Sequence, residues 1–187
     1  KEYEMIVEDI LNNIGKVDTI HITGGEPLQL PNHWKLIDRI PKEHAKNIKL
    51  VYDTNLTELR YKNHSVYDIE DKFKSVYWGV SCDHFQDKLS WIRYPIDVKQ
   101  FEKNLKEMLD SGFNANISCT ISLLNVFDLI DINNYYKNKF GANVNFNSIV
   151  TTPNFLSIRH LPIDVKQKLL KQLDVPVYDR RGVSKFQ

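Results

Sequence analysis

Hydrophobic and polar residues follow two rhythms along this chain, one of period two and one near 3.6. The period-two stretches lie at residues 17–23, 48–54, 75–83, 114–121 and 143–150; they read as strands. Helical spacing fills the intervals. Residues 4–14 carry Ile6, Ile10 and Ile14 on one stripe with Val7 and Leu11 beside it, and Gly15 follows as a C-terminal cap. Residues 32–40 carry Trp34, Ile37 and Ile40 and stop at Pro41. A short helix is expected at 57–61 and a loop through Trp91, Arg93, Tyr94 and Pro95. The clearest helix spans 98–111. Asp97 is its N-cap, Gln100 sits where a capping box needs it, Phe101, Leu105, Met108 and Leu109 share a face, and Gly112 ends it. Residues 125–139 form another helix, with Phe127, Ile130 and Tyr135 expected to pack. A last one spans 165–173, capped by Asp164 with Gln167 as partner, and the polar tail 178–187 is expected to be loose.

Strand starts lie roughly 27 to 40 residues apart, which suits right-handed βα crossovers and a parallel sheet. Parallel strands covered on both faces are continuously apolar, but these alternate. Thr19, His21 and Thr23 oppose Ile20 and Ile22. Gly79, Ser81 and Asp83 oppose Val80 and Cys82. Asn116, Ser118 and Thr120 oppose Ile117 and Cys119, and Asn143, Asn145 and Asn147 oppose Val144 and Phe146. One sheet face is therefore polar. It is either a solvated face or the lining of a partial barrel, and a closed eight-stranded barrel would fill that space with branched apolar residues. The expected class is α/β, an open partial barrel over residues 1–150, with residues 151–187 as an extension on or beside it.

Composition narrows the function. The 187 residues are 42% hydrophobic, enough for one core, with a net charge of +1. Basic residues are scattered and mostly lysine, so neither nucleic acid nor an anionic membrane is the expected partner. No apolar run approaches the length of a membrane span. Cys82 and Cys119 are far apart within strands, which suits a reducing, cytoplasmic setting. The chain opens on Lys1-Glu2-Tyr3-Glu4, neither a signal peptide nor an initiator methionine, and the expectation is a portion of a longer protein.

The stretch Thr23-Gly24-Gly25-Glu26-Pro27 ends the first strand. Two glycines permit a tight backbone or close approach by a ligand, and Glu26 offers an acceptor to an amine or hydroxyl; a plain polar turn fits equally well. His21 suits a substrate contact or a structural hydrogen bond. His33 and His44 are expected on helix surfaces and His64 in a solvated loop. Zinc on His21, Asp83 and His84 would make a metal-dependent hydrolase, although no short ligand spacing supports it. Trp78 reads as core, Trp91 and Tyr94 as a substrate mouth, Cys82 as an inert buried thiol, and Tyr135, Tyr136 and the lysines after them as a helix end with a solvated face.

Taken in order, these segments resemble the radical S-adenosylmethionine (SAM) enzymes. Thr23-Gly24-Gly25-Glu26-Pro27-Leu28 is similar to that family's "GGE" motif. Asp53-Thr54-Asn55 resembles its Thr-Asn-Gly. Ser81-Cys82-Asp83-His84 with Arg93 resembles its Ser-x-Asp-Gly strand end and downstream arginine. The helix from 101, Gly112 and the strand leading to Asn125 fit the continuation, so that the resemblance covers roughly residues 15–150. It implies a partial (β/α)6 barrel and a [4Fe–4S] cluster on a Cys-x3-Cys-x2-Cys loop. It also implies reductive cleavage of SAM to a 5′-deoxyadenosyl radical, with flavodoxin or ferredoxin as reductant, acting on a small-molecule, nucleotide-like or peptide substrate. Carried over, Gly24, Gly25 and Glu26 meet the methionine amine, Ser81 and Arg93 hold the carboxylate or ribose, Asn55 and Asp83 orient ribose or substrate, and Val150 lies near adenine. Leu56 and His84 stand where the family has glycine, and His84 is then a candidate substrate contact. The cysteine loop is absent. The expectation is that the first strand and the cluster ligands lie upstream of Lys1 and that these 187 residues alone are inactive, with no metal ligands among them. The alternative is a degenerate, cluster-less binding or scaffold barrel.

Overall fold

The computed structural model describes residues 2–173, with side chains from residue 4; the tail expected to be loose lies outside them. Five strands form one parallel sheet: β1 (Thr19–Ile22), β2 (Lys49–Thr54), β5 (Ser75–Ser81), β6 (Ala115–Ile121) and β7 (Val144–Ile149). A two-stranded hairpin of β3 (Arg60–Tyr61) and β4 (His64–Ser65) sits apart. The order β1-β2-β5-β6-β7 follows the sequence, as successive right-handed crossovers on one side require. The fold is α/β, with the open parallel sheet of a partial barrel.

One sheet face is closed by helices. Leu50, Tyr52, Val76, Trp78, Val80 and Ile117 are all nearly inaccessible. In the same core pack α1 (Glu2–Asn12) through Val7, α2 (Pro31–Arg39) through Trp34 and Ile37, α3 (Lys42–Ala45) through Ala45, α4 (Val66–Lys72) through Ile69, α6 (Val98–Asp110) through Phe101, Leu105 and Met108, and α7 (Leu129–Phe140) through Ile132 and Tyr136. The Tyr52 and Trp78 rings stack at 4.4 Å, a packed pair at the centre of the core. The opposite face stays half-exposed and carries His21, Asp53, Tyr77, Asn116 and Ser118. Tyr77 on β5 accepts from the Asn145 amide on β7 at 3.0 Å, bridging over β6 on that face.

Gly79 sits in the middle of this polar face, paired with Asp53 and Asn116. A Cβ there would lie 2.9 Å from Asp53 Oδ1 and 3.0 Å from the Tyr52 carbonyl. Backbone cannot move aside cheaply, so Gly79→Ala is expected to cost about 1–3 kcal/mol of stability. A urea titration with an unchanged midpoint would show that the strands relax around the methyl group.

Several local expectations are corrected. Residues 57–61 form no helix. The segment enters the β3–β4 hairpin, with Lys62 in the left-handed region at its turn. The helix comes later, as α4, announced by a capping box between Ser65 and Asp68. The loop through Trp91 contains α5 (Gln86–Ile92), too short to show a period and burying only Leu89. Asp97 caps α6 through the Gln100 N–H, but the Gln100 side chain turns to Asn104 and leaves the box half made. The segment expected to be helical from 125 is a turn up to Leu129, because the Asn125 side chain is committed to Ser122 N–H and two carbonyls. Phe127 and Ile130 are exposed, whereas Tyr136 is fully buried. The last helix, α8 (Ile163–Gln172), is led by Pro162 and not by Asp164. Its Leu169 joins the barrel core, and the Leu123 N–H donates to the Leu156 carbonyl in the approach to it.

In β7 the strict alternation fails. A bulge opposes Ser118–Thr120 to Asn145–Ser148, one residue longer, so Ser148 and not Asn147 shares the face of Thr120. Among the described residues no helix is long and apolar enough to cross a membrane.

Candidate active site

The C-terminal strand ends gather the motif residues. Gly24 and Gly25 take φ of +90° and +49°, a path closed to most side chains, with open space beside both. This turn delivers Glu26 to the end of β2. Its Oε1 accepts from the Thr54 hydroxyl at 2.8 Å and the Leu28 N–H at 3.2 Å, and Oε2 accepts from the Asn55 N–H at 2.5 Å. A carboxylate has about four lone-pair sites, so these three donors leave one on Oε2. Burial pushes the Glu26 carboxyl above its ordinary range, against the opposing pull of Thr54, Asn55 and Leu28.

Leu56, where the family pattern has glycine, takes φ +55° and is fully buried. The left-handed strain of about 1–2 kcal/mol is offset by burying the side chain, worth about 1.5–3 kcal/mol. The loop therefore keeps the glycine-like path without glycine.

Arg93, at the end of α5, donates from Nε to Asp83 Oδ2 at 2.8 Å and from Nη1 to Asn55 Oδ1 at 3.2 Å. Asp83 Oδ1 accepts from the Thr120 N–H at 2.8 Å. Asp83 is thus occupied in fixing Arg93 against the end of β6, while further guanidinium N–H groups stay available. Glu26, Asn55 and Arg93 line one cavity of about 470 Å³ together with Gln29, Thr57 and Tyr94. Gly24, Gly25, Ser81, Asp83 and Val150 are not part of that lining. Val150 donates its N–H to the Ile121 carbonyl beyond β7.

A carboxylate with one open acceptor site and a guanidinium with open donors, on one cavity, have the hydrogen-bonding complement of an α-amino acid zwitterion. The family model of the Radical SAM superfamily matches residues 1–136. The chain belongs to the radical SAM superfamily. Solved structures share the fold of this radical SAM protein. Native anSMEcpe with bound AdoMet has a TM-score of 0.63 at 20% identity, over 92% of this chain and 49% of that one. SuiB of Streptococcus suis bound to S-adenosylmethionine has a TM-score of 0.58 at 18% identity, over 90% of this chain and 39% of that one. The chain thus spans about half the length of these structures or less. No curated protein matches it.

The Glu26–Arg93 cavity fits the methionine head of SAM. The two cysteines do not fit a [4Fe–4S] cluster. Cys82 and Cys119 are buried among the helices, burial drives both thiols up to about 12, and Cys82 is held between Tyr136 and the His84 carbonyl.

The histidines differ most from expectation. His84 is 2% exposed and faces Asp128 at 3.2 Å, so it neither lines the cavity nor joins His21 and Asp83 around a zinc ion. Among the described residues no three His, Cys, Asp or Glu side chains are placed to hold a metal. His33 is buried, not on a helix surface, and shares a 2.7 Å hydrogen bond with the Tyr52 hydroxyl. His64 is half-buried, bonded to Asp38 at 2.9 Å and stacked on Trp34. His21 meets Asp53 at 2.9 Å on the open polar face. Nothing in the sequence marks that pairing, because its partner lies 32 residues away on the neighbouring strand.

Proposed function

We propose that this protein is the barrel of a radical SAM enzyme that holds SAM at its strand ends for reductive cleavage, with the resulting 5′-deoxyadenosyl radical taking a hydrogen from a polar small-molecule, nucleotide-like or peptide substrate. The observation that carries the reading is the placement of Glu26 and Arg93 on one cavity. Glu26 Oε2 accepts from the methionine amine. Arg93, held by Asp83 and Asn55 so that its fork is set before the ligand arrives, receives the carboxylate. The substrate lies over the polar sheet face, where His21, Asp53, Tyr77 and Asn145 offer donors and acceptors without an apolar floor.

The family implies a [4Fe–4S] cluster as the electron source, reduced by a flavodoxin or ferredoxin. Cys82 and Cys119 stay buried in the core and supply no cluster ligand. The second reading is a cluster-less barrel that binds SAM without cleaving it. One experiment separates the two. The gene product is reconstituted without oxygen, its iron and sulfide are measured, and SAM binding and release of 5′-deoxyadenosine after reduction are followed. Binding with release supports the enzyme, binding without iron or release supports the binding protein, and absence of SAM binding overturns both.

A further inference from the structure

Tyr94 follows directly on Arg93 and lines the same cavity as Glu26, yet the residue is 85% exposed. Among the described residues it has no hydrogen bond and no ring partner. An aromatic ring left bare beside a charged cleft has a use if a ligand covers it. The rest of the lining is polar or charged except for the aliphatic Pro95 and Ile96, so a ligand seated by its amino acid head meets Tyr94 as the aromatic surface next to Arg93.

The geometry points to Tyr94 as the residue that reads the sulfonium charge of SAM, an inference that rests on the functional reading above. Sulfur lies three bonds from the α-carbon of methionine, so a head group anchored between Glu26 and Arg93 carries its sulfonium only a short way from that anchor. A ring face attracts a ligand cation through its quadrupole. Arg93 cannot perform this role, because it repels the sulfonium and is committed to the carboxylate. Tyr94 then makes the cavity distinguish SAM from S-adenosylhomocysteine, the neutral thioether of nearly the same shape.

The test is equilibrium dialysis of the reconstituted gene product against SAM and S-adenosylhomocysteine, for wild type, Tyr94→Phe and Tyr94→Leu. Leucine keeps apolar area and removes the ring; phenylalanine keeps the ring. Tyr94→Leu is expected to weaken SAM binding about 2- to 5-fold while S-adenosylhomocysteine changes less, and Tyr94→Phe to retain the wild-type ratio. The exposure of Tyr94 makes a folding defect unexpected, and thermal melting of each variant checks it. Equal losses for both ligands in Tyr94→Leu, or no loss for either, overturn the assignment while the SAM reading stands. A wild type that binds neither ligand overturns the functional reading and this inference with it.

Discussion

Replacing Glu26 by glutamine is expected to lower SAM affinity about 10- to 100-fold, the worth of one charge-assisted hydrogen bond of about 1.5–3 kcal/mol. Three donors already converge on this side chain: the Thr54 hydroxyl and the N–H groups of Asn55 and Leu28. An amide can present an acceptor to only one side, and its NH₂ must then face a backbone donor. Glu26→Gln therefore loses a loop contact as well as the charge, and a stability loss of about 1 kcal/mol accompanies the affinity loss. Burial raises the Glu26 pKa. For a raised carboxyl, the contribution to folding is present below its unfolded value and is lost as pH rises through the folded one, so ionised Glu26 is carried at neutral pH at some expense to stability. Amine binding runs the other way and strengthens as pH rises through that same folded pKa. Isothermal titration across this window is the check. Wild-type affinity in Glu26→Gln, with no pH dependence removed, would assign the amine to another acceptor.

Acid is expected to weaken the fold through His33. Burial, reinforced by the charge of nearby His64, lowers its pKa to about 4, against the smaller opposing effect of Asp38. His33 is 5% exposed, so solvent screens little of this. The sign follows from a depressed folded pKa on a basic group: the neutral form is favoured by folding. The contribution is complete above the ordinary value of 6.5 and is lost as pH falls towards 4. About 2.5 units at about 1.4 kcal/mol each give about 3 kcal/mol at the acid end. The strain would arise in the core, because His33 bonds Tyr52, whose ring stacks on Trp78. Urea midpoints between pH 7 and 4.5 should fall more steeply for wild type than for His33→Gln, which cannot titrate. Equal slopes would mean that carboxylates elsewhere account for the acid sensitivity.

The elements that sequence patterning located are those whose signal is local. All five sheet strands are found within about two residues of their expected bounds, because a half-covered strand shows period two, a pattern that β7 breaks only at its bulge. The capped helix α6 was visible for the same reason. What escaped was short or nonlocal. The helix α5 buries a single residue and has no period to display. Residues 57–61 carry helix-compatible residues, yet pairing with His64 and Ser65 prevails. The bulge in β7 cannot be seen in β7 alone, since it exists only against β6. His33 and Tyr136 looked like surface residues because their polar atoms find partners only once Tyr52 and Cys82 are brought beside them.

By itself the sequence determined the α/β class, the sidedness of the sheet and the placement of the Gly-Gly-Glu turn and the Asn55 and Asp83 motifs at strand ends, because alternation, spacing and glycine content are properties of adjacent residues. Only the tertiary structure decided what those motif residues do. It left one lone pair open on Glu26, set Asp83 to holding Arg93, turned His84 into the core and left the Tyr94 ring bare at the cavity. These outcomes depend on which partners arrive from segments distant in sequence, as Asp128 does in meeting His84 from 44 residues away. No local pattern encodes how many hydrogen bonds such neighbours leave unfilled.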